Sequence, residues 1–326
     1  MAGALKCPIC EFENPDGEAK CRRCGTPLRL SGANSGSSKA AGGGQRLRQG
    51  QLLANRYYIV AEIGRGGMGS IYRAKDNTLK EEVALKTLLP QFLQDKHVVE
   101  RFFNEARIAR QLSHPNVVRV HDIGASQGTV YISMELLNGK SLRQILEGLM
   151  PGDRLPMRTV LNIFDQLCAA LEYAHRFTVH RDLKPENVMV MEDGSVKLMD
   201  FGISKLRGDA SLTSASMVMG TPHYMSPEQV KHSAGVDQRA DIYSLGVMLY
   251  EALTGNLPTA IHKPVSKIVR GVPPALDPII ETCLQDDPTR RYETAAELRA
   301  ALGAVQEQLG FTESPVTFKP RNQKRS

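Results

Sequence analysis

The chain has 326 residues, 41% of them hydrophobic and 23% charged, with a formal net charge of +6. That length holds one large domain or two ordinary ones, and no apolar run approaches the roughly eighteen residues of a membrane span. The N-terminus has no apolar core followed by a small-residue cleavage site, which points to the cytoplasm. The positive excess sits in the flanks (+1 in residues 1–30, +3 in 31–50, +3 in 311–326), which leaves −1 for residues 51–310 and argues against a nucleic-acid partner.

Residues 1–30 carry Cys7, Cys10, Cys21 and Cys24 as two CxxC pairs, with Asn14-Pro15-Asp16-Gly17 as the turn between them and Gly25 after the second. Each pair can bring two thiolates to one tetrahedral Zn²⁺, and so short a segment needs metal binding to fold. The segment resembles the short zinc-ribbon family, departing from it at Glu11, where that family often has Gly. Its spacing leaves open whether such a ribbon docks a protein, binds nucleic acid or is structural. Residues 31–55 read as a flexible Gly/Ser linker. Cys168 and Cys283 stand alone in helical patterns and read as small buried apolar residues.

A β-prone stretch at 57–63 is followed by Gly64-Arg65-Gly66-Gly67-Met68-Gly69 and a second strand at 70–74. A dinucleotide turn shares the GxGxxG spelling but leads into a helix, so a glycine-rich hairpin over a triphosphate fits better. The strand at 82–88 places Lys86 among apolar neighbours, where an ammonium calls for an anion. The helix at 98–112 has an apolar stripe of Val98, Phe102, Ala106, Ala109 and Leu112, bordered by Glu105. Strands at 117–123 and 129–135 lead through 136–140 into helical sequence, of which 156–177 is the longest stretch.

His180 to Asn187 reads HRDLKPEN. It offers a carboxylate (Asp182) to take a proton and an ammonium (Lys184) at fixed reach. Its amide (Asn187), with the carboxylate of Asp200, can hold a hard cation, a set suited to phosphoryl transfer. The stretch 188–199, with a turn at Asp193-Gly194, reads as a hairpin that delivers Asp200-Phe201-Gly202. A Ser/Thr-rich segment follows, then Gly220-Thr221-Pro222, Ser226-Pro227-Glu228, a helix at 237–253 with its Gly cap at Gly255, and helices at 274–284 and 294–309.

With these motifs in this order, the chain resembles the bacterial eukaryotic-like (Hanks-type) Ser/Thr protein kinases. The resemblance implies an α+β bilobal kinase fold, with a β-rich N-lobe and a helical C-lobe, at 56–309, preceded by the ribbon and followed by a basic tail, 310–326. It implies transfer of the γ-phosphoryl group of ATP, with Mg²⁺ or Mn²⁺, to Ser or Thr of protein substrates. Asp182 would be the base, Lys184 would neutralise the transferred group, and Asn187 and Asp200 would hold the metal. Lys86, paired with Glu105, would hold the α and β phosphates. Ile63, Gly64, Gly66, Gly69, Ile71, Ala84, Met134, Glu135, Leu137 and Met189 would complete the ATP site. Arg181 would receive an activation-loop phosphate from among Ser211, Thr213, Ser214 and Ser216, added in trans within a transient homodimer. Thr221, Asp241 and the pair Glu228 and Arg291 would be structural. Residues 256–273 leave less room than relatives give to their αG helix. The alternative is a pseudokinase scaffold, and the presence of Lys86, Asp182, Asn187 and Asp200 weighs against it.

Overall fold

The computed structural model describes residues 5–6, 13–15, 17–18, 22, 46–67, 69–150, 152–201, 222–231, 235–259 and 262–311. The cysteines at 7, 10, 21 and 24, Gly202, the candidate phosphorylation sites at 211–216 and Thr221 lie outside these residues. Near the N-terminus, β1 (Leu5–Lys6) pairs antiparallel with β2 (Glu13–Asn14). The buried Asn14 side chain accepts the Arg22 N–H at 2.8 Å.

The chain divides into two compact units. The first is an antiparallel sheet with one helix. Its strands are β3 (Leu52–Leu53), β4 (Tyr57–Arg65), β5 (Gly69–Asp76) and β6 (Glu81–Leu88), and then, after α1 (Lys96–Gln111), β7 (Val120–Ser126) and β8 (Thr129–Glu135), in the order β3-β4-β5-β6-β8-β7. Leu47, Leu53, Tyr57, Ile59, Tyr72, Ala74, Val83, Leu85 and Tyr131 form its core. Arg56 binds Asp76 in a fork at 2.7 and 3.0 Å, reaches Asp122 at 2.8 Å, and lies over the Tyr57 ring. Asp76 also accepts the N–H groups of Thr78 and Leu79, closing the β5–β6 turn. In the glycine-rich hairpin, Gly66 donates to the Gly69 carbonyl at 2.8 Å. A Cβ on Gly69 would lie 2.2 Å from the Thr87 carbonyl oxygen, so β5 approaches β6 there as only glycine allows.

Residues 46–55 depart from the linker expectation. Leu47 and Leu53 are buried, Gly50 donates to the Ile59 carbonyl at 2.9 Å, Ile59 donates back to the Gln51 carbonyl at 2.9 Å, and β3 pairs with β4. These residues are a strap on the sheet, held because Leu47 and Leu53 leave water and the backbone is paired.

The second unit is helical. A small sheet of order β11-β10-β9 joins β9 (Gly139–Ser141), β10 (Val188–Met191) and β11 (Val196–Leu198). The helices are α2 (Leu142–Glu147), α3 (Met157–Ala174), α4 (Pro227–Val230), α5 (Arg239–Thr254), α6 (Val265–Ile268), α7 (Leu276–Cys283) and α8 (Ala295–Gln308). α2 begins with a capping box between Ser141 and Gln144, and α8 with Thr294 accepting the Glu297 N–H. α5 is buried along nearly all its length, carries Asp241 and Glu251 inside, and stops at Gly255, whose φ is 74°. Cys168 and Cys283 are fully buried, which pushes both thiols up and makes them inert core residues.

Three local expectations change. Val117 sits opposite Leu198 of the helical unit, whose N–H and carbonyl bond Asn116 and Val118 on either side of it, instead of opening a strand, so β7 starts at Val120. Of its two phenylalanines, α1 buries Phe103, with Phe102 only half-buried. The stretch 256–273 does contain a helix, the single turn α6, where Asp277 accepts the Ser266 N–H at 2.9 Å and its hydroxyl at 2.5 Å.

Candidate active site

In the helical unit, the site is built on the loop between α3 and β10. Its anchor is Asp241, fully buried on α5, whose carboxylate accepts the N–H groups of His180 and Arg181 at 2.8 Å each and the His175 Nε2–H at 2.9 Å. Burial alone would raise this carboxyl. The His175 hydrogen bond and charge, with the nearby His180 ring and N–H, outweigh it and hold Asp241 below the usual carboxylate range.

His180 is also fully buried. Its Nδ1 accepts the Asp182 N–H at 3.3 Å, which makes Nε2 the protonated nitrogen, and Nε2 lies 2.8 Å from the Met199 carbonyl oxygen. The ring meets Phe201 edge to face with centroids 4.7 Å apart. His180 therefore ties the loop carrying Asp182 to the segment carrying Asp200. Arg181 and Asp200 both take left-handed backbones, with φ of 63° and 60°. Non-glycine residues there carry strain that surrounding bonds must hold. Asp241 and Gln229, which donates to the Arg181 carbonyl at 2.7 Å, do so on one side.

Asp182 and Lys184 are both about one-fifth exposed, and Lys184 Nζ lies 2.8 Å from Asp182 Oδ2. Asn187, in the one-turn 3-10 helix Pro185–Asn187, donates its amide to the Asp182 carbonyl at 2.8 Å. The other end of that amide, an oxygen, is the group that could donate to a cation, and the Asp200 carboxylate would add a second. Two hard oxygen donors fit Mg²⁺, which keeps several waters and shares substrate phosphates.

In the sheet unit, Lys86 lies half-buried in β6, in register with Ile71 of β5 and Ile132 of β8. Ala84 faces Met134, and Gly64 faces Ile71 across the glycine-rich hairpin. Glu105 is buried on α1 at 8% exposure. The Glu135 N–H is taken by the Arg119 carbonyl at 3.0 Å, and its carboxylate accepts the Arg119 N–H at 2.7 Å.

Away from the loop, Arg291 binds Glu228 as a fork at 2.7 and 2.8 Å, donates to the carbonyls of Gln285, Arg239 and Asp286, and lies over the Tyr243 ring. A second cluster escaped sequence reasoning. Arg143 on α2 binds Glu251 at 2.7 Å and Glu186 at 3.1 Å and donates to the Tyr224 hydroxyl, which itself donates to Glu251 at 2.5 Å. The signal was present in DIYSLGVMLYEALTG: a carboxylate at Glu251, ten residues after Asp241 in so apolar a helix, implies a cation partner of its own.

Residues 57–301 match the protein kinase domain family model, and the chain belongs to that family. Its relatives are bacterial Ser/Thr kinases. The chain is 36% identical to a probable serine/threonine-protein kinase of Clostridium acetobutylicum over 78% of this chain and 41% of that one. It is 38% identical to the serine/threonine-protein kinase PknA of Mycobacterium tuberculosis over 79% of this chain and 63% of that one. It thus spans from two-fifths to under two-thirds of these relatives' lengths. The crystal structure of the PknI kinase domain of Mycobacterium tuberculosis superposes with a TM-score of 0.66 at 29% identity, covering 80% of this chain and 99% of that one. Among the described residues no helix is long and apolar enough to cross a membrane. Among them, too, no group of His, Cys, Asp and Glu forms a metal site, the four N-terminal cysteines lying outside that set.

Proposed function

We propose that the chain is an ATP-dependent protein Ser/Thr kinase with Mg²⁺ or Mn²⁺ as its cation. The observation that carries this reading is the loop 180–187. A candidate base, a cation 2.8 Å from it and a metal-suited amide share one short loop, pinned by a buried carboxylate. In this reading Asp182 orients the acceptor hydroxyl and takes its proton. Lys184, which neutralises Asp182 here, turns to the transferred phosphoryl group. Asn187 and Asp200 hold the metal, which supplies charge neutralisation at the phosphates when bound.

The sheet unit contributes Gly64, Gly66 and Gly69 to the phosphates, and Lys86 with Glu105 to the α and β phosphates. Ile63, Ile71, Ala84, Met134 and the backbone of Glu135 act on the base. The helical unit contributes Leu137 and Met189. With the Glu135 N–H used inside the sheet, its carbonyl is the group that meets adenine. Incubation with labelled ATP and a generic basic protein tests the assignment. Asp182→Asn is expected to lower labelling by about 10² or more; labelling at the wild-type rate would overturn the role of Asp182.

We also read residues 1–30 as a zinc ribbon that recruits a docking partner, 31–45 as its linker, and 310–326 as a basic tail, with the whole acting in the cytoplasm. In support, the β1–β2 pairing and the Asn14–Arg22 bond bring the residues that flank Cys7 and Cys21 together. One Zn²⁺ per chain in protein purified reduced and without chelator is the expected result, and none would remove the ribbon. For control, the Arg181 Nε is buried and has no hydrogen-bond partner among the described residues. This supports its role as receiver of a phosphate on Ser211, Thr213, Ser214 or Ser216, with Thr213 and Ser216 favoured and added in trans within a transient dimer. Changing all four to Ala is expected to lower activity.

A further inference from the structure

The edge of β11 that faces away from β10 is closed by groups from elsewhere in the helical unit. Gln166, on α3, accepts the Val196 N–H at 2.9 Å through Oε1 and donates from Nε2 to the Gly194 carbonyl at 2.9 Å. Bonding the carbonyl of one residue and the N–H of the second residue after it is what a neighbouring parallel strand does. Here a single side chain does it. The rest of the amide is used as well: Oε1 accepts Asn116 Nδ2 at 2.8 Å, and Nε2 donates to Asn162 Oδ1 at 2.7 Å. Both donors and both acceptor positions of Gln166 are thereby filled. Asn116 adds a second bond, from Nδ2 to the Val196 carbonyl at 2.9 Å. Further along the same edge Leu198 donates to the Asn116 carbonyl at 2.8 Å and accepts the Val118 N–H at 3.0 Å.

We propose that Gln166 is a positioning residue for Asp200, because its amide fixes the register of β11 against α3. β11 ends at Leu198, so only Met199 separates the strand from Asp200. Met199 has no slack: its N–H donates to the Asn187 carbonyl at 2.9 Å and its carbonyl meets His180 Nε2 at 2.8 Å. A slip of β11 therefore passes directly to Asp200, whose left-handed backbone leaves few alternatives. An apolar side chain at 166 would leave the Val196 N–H and the Gly194 carbonyl, both on buried residues, without partners. The inference rests on the reading that Asp200 holds the metal.

The test uses the full chain, hydrogen exchange and Mn²⁺ titration. In the wild type the Val196 amide should exchange as slowly as that of Met189 inside β10; fast exchange would overturn the proposal without any mutation. Gln166→Leu should speed exchange at Val196 and Leu198 about tenfold, leave the amides of α5 unchanged, and weaken Mn²⁺ binding about tenfold. Gln166→Glu keeps the acceptor and loses both donors, so it should fall between the two and serves if Gln166→Leu does not fold. Wild-type exchange and Mn²⁺ affinity in both variants would overturn the proposal. Failure of Asp200→Ala to weaken Mn²⁺ binding would instead overturn the metal assignment, whatever Gln166 does to β11.

Discussion

Asp241 holds Arg181 in a left-handed turn: its buried carboxylate takes the Arg181 N–H at 2.8 Å while φ stands at 63°. A carboxylate with no exposed surface is thereby committed to the loop that carries Asp182. Asp241→Asn keeps the shape and loses the charge. Hydrogen bonds to an ionised group contribute about 1.5–3 kcal/mol each, so a loss of at least about 2 kcal/mol is expected from urea unfolding at pH 7.

The same residue sets a pH dependence. Its folded carboxyl titrates below its unfolded value, so its stabilisation is fully present above pH ~4 and drains away as pH falls through the depressed folded value. Urea midpoints measured from pH 7 down to pH 3 should fall in the wild type below pH ~4. The corresponding slope should be shallower in Asp241→Asn; identical slopes would show that other carboxylates carry the acid response.

Arg143→Ala strands Glu251, whose side chain is 10% exposed. Breaking a buried pair from one side costs about 3–5 kcal/mol, whereas replacing both partners with apolar residues is often close to neutral. Thermal unfolding should therefore rank the wild type and Arg143→Met/Glu251→Leu together, well above Arg143→Ala. A double variant no more stable than the single one would mean that Glu186 and Tyr224 are the partners that matter.

Arg291→Lys preserves charge at a side chain with no exposed surface and still should not preserve stability. A lysine cannot form the fork to Glu228 and reach three carbonyls at once, nor stack as a plane on Tyr243. A cost of about 2 kcal/mol is expected from chemical unfolding.

The strap at residues 46–55 predicts where truncation begins to hurt. Removing residues 1–45 should leave the melting temperature of the kinase unit unchanged. Removing 1–53 also exposes the space left by Leu47 and Leu53, each worth about 1.5–3 kcal/mol when fully buried, and should lower it by several degrees. Equal melting temperatures would mean that the strap adds no net stability.

The hairpin that delivers Asp200 was legible in the sequence because short apolar segments on either side of Asp193-Gly194 leave little choice, and β10 and β11 fall there. The glycine-rich hairpin was legible because β-prone Ile71 and Tyr72 follow the glycines. The strap was hidden: Leu47, Leu52 and Leu53 lie in a Gly- and Gln-rich context, and so few apolar residues have no period to read. Residues 117–118 looked like the start of a strand because they are apolar, yet their partner is Leu198, and no local signal encodes a partner so distant. Glu251 signalled a cation partner, but that this partner is Arg143, and that the Gln166 amide closes a strand edge, could not be read for a related reason. A polar side chain on an amphipathic helix reads as solvated until the groups opposite it are known.

Anchoring the chain at Leu47 also limits how far anything held by the N-terminal segment can wander. Residues 31–45, fully extended, cover at most about 50 Å. A partner bound to residues 1–30 would be confined to a sphere of about that radius around the strap, equivalent to a local concentration in the millimolar range. If residues 1–30 hold a partner as proposed, a protein that the catalytic loop around Asp182 recognises only weakly would still be phosphorylated at such a concentration, and substrate choice would then lie with the N-terminal segment, leaving that loop free to be permissive.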